Sequence, residues 1–351
     1  MNHSKTNNNE QIILDEEPDI LDSGSYPDKR SIEDLIDNCI IFIDKQSGPT
    51  SHQVVSWVKS MLNYNKAGHS GTLDPMVTGL LPISLGNATK ALPILLYGPK
   101  EYVAVIRLHN SVNQTKLYDC INKFKGPIYQ RPPQRSAVKR QTRIRNIYDI
   151  SILDDTSRLL CLRVLCEAGT YIRKLIYDIG EIMECGATMV ELRRTRVMHI
   201  EGENNFVRLH ELSDAIYRLQ HENDETRFRE LVHPVEFITK PLKSITVRCS
   251  AIDSLCHGAQ LAIPGILKLS KEISLNENIS ILSQKGELIA LAESLMSSDD
   301  ITKNKKGIAC KTKRVIMKTG TYPKLWTKNN IQDLSLIHIS EPTRPRLISY
   351  A

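Results

Sequence analysis

The sequence predicts an α+β protein: a mixed, largely antiparallel sheet with a second, smaller β domain after it. Three observations predict this. Helix and strand patterns are interleaved over residues 31–240 without the regular βα alternation of a doubly wound fold. Strand signals come as short apolar or β-branched runs, such as Cys39 to Asp44 and Tyr102 to Leu108. Near Pro241 the composition shifts to short strand signals between turns rich in Gly, Ser and Asn, continuing to about Lys318.

Taken in order, residues 1–30 are Asn-rich, then acidic, then turn-prone, and read as a disordered or docked extension. A short helix begins at Ser31, with Asp34 completing a capping-box-like pair. After the strand at Cys39, Thr50 or Ser51 caps a helix whose buried face is Val54, Val55, Val58, Met61 and Leu62. A glycine-punctuated loop follows, then the Tyr102 strand. Lys139 to Ile150 reads as a strand joined by a polar turn to Leu159–Cys166. Gly169 and Thr170 end that strand. A helix starts near Tyr171, with Ile172, Leu175, Ile176, Ile179 and Met183 on one side. Residues 241–318 form the second domain and 319–351 a tail without periodicity. Within the tail, Ser335 to Pro345 resembles a translated sequencing adapter and is left out of the functional reading.

Composition bounds the function. Hydrophobic residues make up 41% and charged residues 25%, enough for a sizeable core. A net charge of +6 and a pI near 8.8 fit an anionic partner without requiring one. None of the eight cysteines falls in a CxxC pair or at zinc-finger spacing, so buried thiols in a reducing compartment are the reading, with no metal. The polar N-terminus has no apolar signal core, and no run reaches membrane-spanning length.

The densest unusual segment is Gly68-His-Ser-Gly-Thr-Leu-Asp-Pro75. Its glycines permit backbone conformations closed to other residues, and Pro75 pushes Asp74 towards extended geometry. By itself this is either a structural turn or a loop presenting one carboxylate. Four further segments follow in order: Gly98-Pro-Lys-Glu-Tyr-Val103; Tyr129-Gln-Arg-Pro-Pro133 with Ser136-Ala-Val-Lys139; Cys166-Glu-Ala-Gly-Thr-Tyr-Ile-Arg173; and Glu191-Leu-Arg-Arg-Thr-Arg196.

Together these resemble the TruB/dyskerin family of pseudouridine synthases, from about residue 31 to Trp326. The resemblance implies a pseudouridine synthase core and, at 241–318, a PUA domain, a small RNA-binding β-pseudobarrel. It implies roles residue by residue. Asp74 matches the essential aspartate, Arg173 the arginine pairing with it, and Tyr102 the aromatic residue stacking on the target base. Tyr171 and Leu192 match pocket residues, His69 a loop histidine contacting RNA, and Lys45 a buttress of the pocket. Gln46, where the family has proline, weakens that last match. Thr188 stands where relatives often have His, and Val197-Met198 where Ser-Gly is common.

The chemistry fits these residue types. Pseudouridine formation breaks C1′–N1, turns the uracil and joins C1′ to C5, after the nucleotide has left its stack. A carboxylate attacks C1′ or removes the 2′ proton; the sequence leaves both routes open. Either requires Asp74 ionised and shielded from water, with Arg173 opposing the effect of burial. A tyrosine and an apolar wall hold the ring while it turns, and a general base, Tyr102 or a water, removes the C5 proton once C1′ is joined there. No step requires a cofactor.

For RNA binding, Arg131 to Arg145 carries six basic residues and no acidic one. On a strand, Lys139, Arg143 and Arg145 share a face, as a phosphate-tracking stripe or as a solvated face. A second cluster includes Lys313 and Arg314. Gly258 and Gly265 are places where the PUA backbone is expected to approach RNA. Arg143-Ile-Arg-Asn-Ile-Tyr148, Arg107-Leu-His109 and Tyr322-Pro-Lys-Leu-Trp326 resemble the dyskerin branch. That branch implies an H/ACA guide RNA, substrate rRNA, and three small H/ACA core proteins of zinc-ribbon-like, Gly-Arg-rich and kink-turn-binding types. It also implies a role in ribosome biogenesis and a nuclear, nucleolar location. The alternatives are a stand-alone TruB-type enzyme acting on the tRNA T-loop, and a non-catalytic guide-RNA scaffold.

Overall fold

The computed structural model describes residues 10–16, 22–132, 139–156, 158–202 and 205–325. In chain order the elements are β1 (Gln11–Ile13), α1 (Ile32–Asp37), β2 (Cys39–Lys45), α2 (Ser51–Met61), β3 (Ala67–His69), β4 (Thr78–Leu85), α3 (Leu92–Tyr97) and β5 (Lys100–Leu108). Next come α4 (Gln114–Lys123), β6 (Gly126–Gln130), β7 (Arg143–Thr156), β8 (Leu159–Cys166), α5 (Ile172–Ile182), β9 (Ala187–Val197) and β10 (Ile200–Glu201). They are followed by α6 (Leu209–His221), α7 (Thr226–Leu231), β11 (Val232–Pro234), β12 (Ser244–Val247), α8 (Cys249–Cys256), β13 (Leu261–Ala262) and β14 (Ile266–Ser270). The last are β15 (Asn278–Leu282), β16 (Leu288–Ser294), α9 (Ser298–Lys303) and β17 (Ile308–Val315).

A ten-stranded sheet carries the order β11-β2-β4-β9-β5-β8-β7-β6, with β3 on β4 and β10 on β9. Its pairs are antiparallel except β4–β9, which is parallel. That exception is short: only Thr78↔Arg193 and Gly79↔Arg194 are paired. The sheet is therefore two halves joined at a narrow seam. Gly79 is required there, with φ +99°, because a Cβ would sit 2.2 Å from the Arg194 carbonyl oxygen.

Each half has its own core. Val54, Val55 and Val58 of α2 pack with Leu81 and Ile83 of β4 and Leu212 and Ile216 of α6. Thr50 caps α2 in a capping box with Gln53. On the other half, Ile172, Leu175, Ile176 and Ile179 of α5 pack with α4 and with β5, β7 and β8. Tyr102 and Leu192 touch both cores, so they stand at the seam.

The second sheet, of seven strands, runs β1-β14-β12-β15-β16-β17-β13. Part of the N-terminal extension belongs to it, because β1 pairs antiparallel with β14. The two sheets also share apolar contacts: Leu288 and Ile316 pack with Ile40, Phe42 and Leu80.

One expected element changes. The strand expected from Lys139 begins at Arg143 and runs on to Thr156. Its partner β6 ends at Gln130, just before Pro132 and Pro133, which have no N–H for a ladder, so Gln130↔Arg143 is the last pair. Lys139 consequently lies off the strand, and no three-residue stripe with Arg143 and Arg145 forms. The suspect tail at 335–345 and Trp326 lie outside the described residues.

Candidate active site

The loop between β3 and β4 is held from beneath. Leu73 and Val77 are buried in the α2 core. Ser51, at the start of α2, grips Leu73 twice: its Oγ accepts from the Leu73 N–H at 2.9 Å and donates to the Leu73 carbonyl at 3.1 Å. Lys45, fully buried at the end of β2, donates from Nζ to the carbonyls of Gln46 at 2.9 Å, Pro75 at 2.8 Å and Val77 at 2.8 Å. With both apolar side chains pointing down, Asp74 points out, at the mouth of the seam.

There it meets Arg173, the second residue of α5. Arg173 Nη2 donates to Asp74 Oδ2 at 2.5 Å. The pair crosses the seam, since the loop belongs to one half of the sheet and α5 packs on the other. Both side chains are more than half exposed, 57% for Asp74 and 59% for Arg173. The expectation that the protein shields Asp74 from water is corrected here. The loop is anchored only on its inner side, and nothing in the described chain covers its outer side.

The start of α5 is fixed by a residue the sequence reading passed over. Gln130, 2% exposed, accepts from the Tyr171 N–H at 2.9 Å and donates to the Tyr171 carbonyl at 3.1 Å. It thereby holds the N-cap residue of the helix that carries Arg173. Arg145 supports the same turn: its Nη1 pairs with Glu167 Oε1 at 2.8 Å and its guanidinium packs on Gly169. Gln130, Arg143, Arg145, Gly169 and Tyr171 line a cavity of about 70 Å³.

Tyr102 and Leu192 form the wall beside Asp74. Both are partly exposed. Burial pushes the Tyr102 phenol above its ordinary value, Arg194 opposes the shift, and Asp74 is near enough to add to it. Burial also lowers Lys45 from its ordinary value, and Asp74 opposes that. Asp74, Arg173, Tyr102, Leu192 and Lys45 are thus brought together, with Lys45 acting on the loop backbone and not in the cleft. The replacement of proline by Gln46 leaves this clamp intact, because Lys45 uses the Gln46 carbonyl.

His69 sits on β3, with its ring edge-on to His52 at 5.1 Å. Its Nδ1 is buried without a hydrogen-bond partner. Burial, aided by His52 and Arg194, pulls its pKa down to about 4, so the ring is neutral near pH 7.

The residues expected to bind RNA divide. Lys139, Arg143 and Arg314 are exposed. Lys313 is exposed but pairs with Glu293 at 2.6 Å. Arg145 is committed to Glu167, as described. Gly258 has φ +88° and open space around it, as a backbone approach site needs. Gly265 differs: a Cβ there would meet Leu261 at 3.1 Å and Ala251 at 3.3 Å, so internal packing accounts for it. Among the described residues no group of three or more His, Cys, Asp or Glu stands together as a metal site, and no helix is long and apolar enough to cross a membrane.

These features have relatives. Residues 59–172 match the N-terminal domain of the TruB family pseudouridylate synthases, and residues 173–239 match the C-terminal domain of tRNA pseudouridylate synthase B. Residues 243–316 match the PUA domain and 5–55 the DKCLD domain. A probable tRNA pseudouridine synthase B of Methanosarcina barkeri is 46% identical over 87% of this chain and 90% of its own length. The chain belongs to the TruB family of pseudouridine synthases. A second relative of that name, from Methanocaldococcus jannaschii, is 43% identical over 92% of this chain and 96% of its own. Among solved structures, a chain of an H/ACA RNP bound to a substrate RNA containing 2′-deoxyuridine superposes with a TM-score of 0.84 at 40% identity, covering 90% of this chain and 97% of that one. A chain of a Cbf5-Nop10-Gar1 complex gives 0.84 at 43% identity, covering 90% and 96%. The protein is thus an RNA pseudouridine synthase, an isomerase, with a PUA domain, and it shares its fold with chains solved in an H/ACA RNP and in a Cbf5 complex.

Proposed function

We propose that this pseudouridine synthase is RNA-guided: the catalytic subunit of a dyskerin-type H/ACA particle that isomerises uridine in rRNA and other RNAs. The carrying observation is likeness over 90% of the chain to proteins solved within H/ACA complexes, together with the DKCLD match at 5–55. The partners in this reading are an H/ACA guide RNA, the substrate RNA, and small core proteins such as the Nop10 and Gar1 of the solved complex.

The site supports a definite division of labour. Asp74 acts on the flipped uridine, either attacking C1′ or taking the 2′ proton, while the Arg173 guanidinium 2.5 Å away holds the carboxylate in position. Tyr102 and Leu192 hold the freed uracil as it turns. Lys45, Ser51 and Gln130 hold the backbone on either side of the seam. Asp74→Ala is expected to abolish isomerisation while leaving guide-RNA binding unchanged. An Asp74→Ala particle that still forms pseudouridine would refute the mechanism.

The relatives' name, tRNA pseudouridine synthase B, supports a second reading, a stand-alone enzyme acting on tRNA. Incubating the purified chain with unmodified tRNA, without guide or core proteins, separates the two. Efficient modification there would overturn the guided reading. That reading also expects the chain in the nucleus and nucleolus, which imaging of a tagged chain tests.

A further inference from the structure

The Asp74 loop is entered through a soft joint. The β3–β4 pairing ends where the Ser70 N–H donates to the Pro82 carbonyl at 3.1 Å. Gly71 follows, with φ +103°. A Cβ there would meet Leu96 at 3.7 Å and Arg194 at 3.8 Å, which is ordinary contact, so packing does not lock this residue. Glycine itself puts little barrier in the way of a turning peptide. Ser51 takes hold of the chain again only at Leu73. Between Ser70 and Leu73 stands one clip: Arg194 Nη2 donates to the Gly71 carbonyl at 3.2 Å. The same side chain donates from Nε to the Leu80 carbonyl at 2.8 Å. Gly71 precedes Asp74 and Leu80 follows it, so one guanidinium holds both limbs of the loop.

The clip also crosses the seam. Arg194 belongs to β9, two residues after Leu192 and directly across from Tyr102 of β5. Gly71 lies in the loop and Leu80 in β4. The β4 and β9 backbones pair only at Thr78↔Arg193 and Gly79↔Arg194. The guanidinium therefore joins the limbs that carry the carboxylate to the strands that carry the base-holding wall.

The fold alone gives little reason for an arginine here. The side chain is 1% exposed, and among the described residues its hydrogen bonds go to carbonyls and to no carboxylate. A second buried cation is near: burial, aided by Arg194, pulls Lys100 down to about 8. Buried charge without a counter-charge is costly. What arginine offers in return is a rigid planar fork, which reaches two acceptors in fixed directions from one head.

We propose that Arg194 is a positioning residue: by holding Gly71 and Leu80 from β9, it sets where Asp74 stands relative to Tyr102 and Leu192, without touching the substrate. The inference rests on Asp74 being the acting carboxylate and is independent of whether a guide RNA selects the site.

The test uses the full chain with guide RNA and core proteins, in single-turnover reactions well below the melting midpoint. Active-site titration gives the fraction of competent molecules, and filter binding gives RNA affinity. A residue that only supports the fold would lower the competent fraction, whereas a positioning residue lowers the rate constant of the competent molecules. Arg194→Ala is expected to lower that rate constant about a hundredfold, the cost of a misplacement of about 1 Å, with RNA affinity changed less than about twofold. Arg194→Lys keeps a buried cation without the fork and is expected to fall between Arg194→Ala and the parent. It carries the test alone if Arg194→Ala does not fold. A parental rate constant in the variant that is read, or a loss confined to competent fraction or affinity, would overturn the proposal. An Asp74→Ala chain that still reacts would instead defeat the reading beneath it. A parent chain active on free tRNA but inactive with guide RNA would defeat only the guided reading, and the variants would then be compared on tRNA.

Discussion

Gly79→Ala tests whether the seam sets the catalytic geometry. Gly79 has φ +99°, and a Cβ there would lie 2.2 Å from the Arg194 oxygen and 2.9 Å from its nitrogen. Both are backbone atoms, so neither can swing aside. Ordinary contact begins at 3.4 Å, so β4 and β9 must part by roughly 1 Å. The unfavourable φ alone costs about 1–3 kcal/mol. At about 2–4 °C per kcal/mol, the melting midpoint should fall by at least several degrees. The functional loss should be larger than the strain. The Asp74 loop lies on one side of the seam, and Tyr102, Leu192 and Arg173 on the other. A misplacement of about 1 Å costs on the order of a hundredfold in rate. Gly286→Ala is the control: it has φ +83° and no atom within 4 Å, so it carries strain without separating strands. Thermal melting and single-turnover rates, measured well below the midpoint, compare the two. A Gly79→Ala protein that turns over like Gly286→Ala would refute the claim that this junction positions the active site.

Three further outcomes are expected. Lys45→Met takes the donor from the Gln46 and Val77 carbonyls, leaves Pro75 only the Gly48 N–H, and should destabilise by about 2–4 kcal/mol, with turnover falling at least tenfold and RNA affinity nearly unchanged; denaturant titration and filter binding check this. His69, held down to about 4, stays neutral in the folded chain where the unfolded chain takes up a proton near 6.5. Stability should therefore fall as pH drops from about 6.5 towards 4, and His69→Gln should flatten part of that slope, leaving the parts due to His199 and His233, which burial also lowers. Glu236 takes Arg30 at 2.7 and 2.9 Å and also accepts from the Leu288 N–H at 2.8 Å, tying the N-terminal extension to both sheets. Glu236→Ala strands a buried guanidinium and should cost about 3–5 kcal/mol, with little change in turnover per folded molecule; melting and active-site titration distinguish the two effects.

The legible parts of this fold are those whose cause is local. The helix over Val54, Val55 and Val58 follows from periodicity; its start was legible only as Thr50 or Ser51, and the capping box with Gln53 shows that Thr50 is the cap. The Asp74–Arg173 pair was legible only through motif order, since 99 positions separate the two. Lys45 and Arg194 were not legible as buried groups. Each looks like a surface cation in the sequence, and each is buried because carbonyls 32 and 114 positions away arrive to accept its protons. The same reason hid Gln130, whose partner is a backbone 41 positions on. Gly258 and Gly265 looked alike in sequence, but one faces open space and the other faces Leu261.

The openness of Asp74 has a mechanistic consequence. A carboxylate more than half exposed to water is a weak participant at C1′, because water screens it and competes for the reacting sugar. Its Arg173 partner is equally exposed, so the pair alone creates no low-dielectric site. The buried charges lie below it instead: Lys45 and Arg194, whose positions do not depend on what occupies the cleft. The missing cover over Asp74 must therefore come from whatever fills the mouth of the seam. The group certain to be there during turnover is the RNA itself, with the extruded uridine against Tyr102 and its flanking backbone over Asp74. Desolvation of the carboxylate then becomes part of substrate binding. A uridine nucleoside, which brings the base but no flanking strand, should leave Asp74 wet and react at least a hundredfold more slowly than the same uridine within a strand. Comparable single-turnover rates for the two at saturation would show that the protein closes the site without help from the RNA.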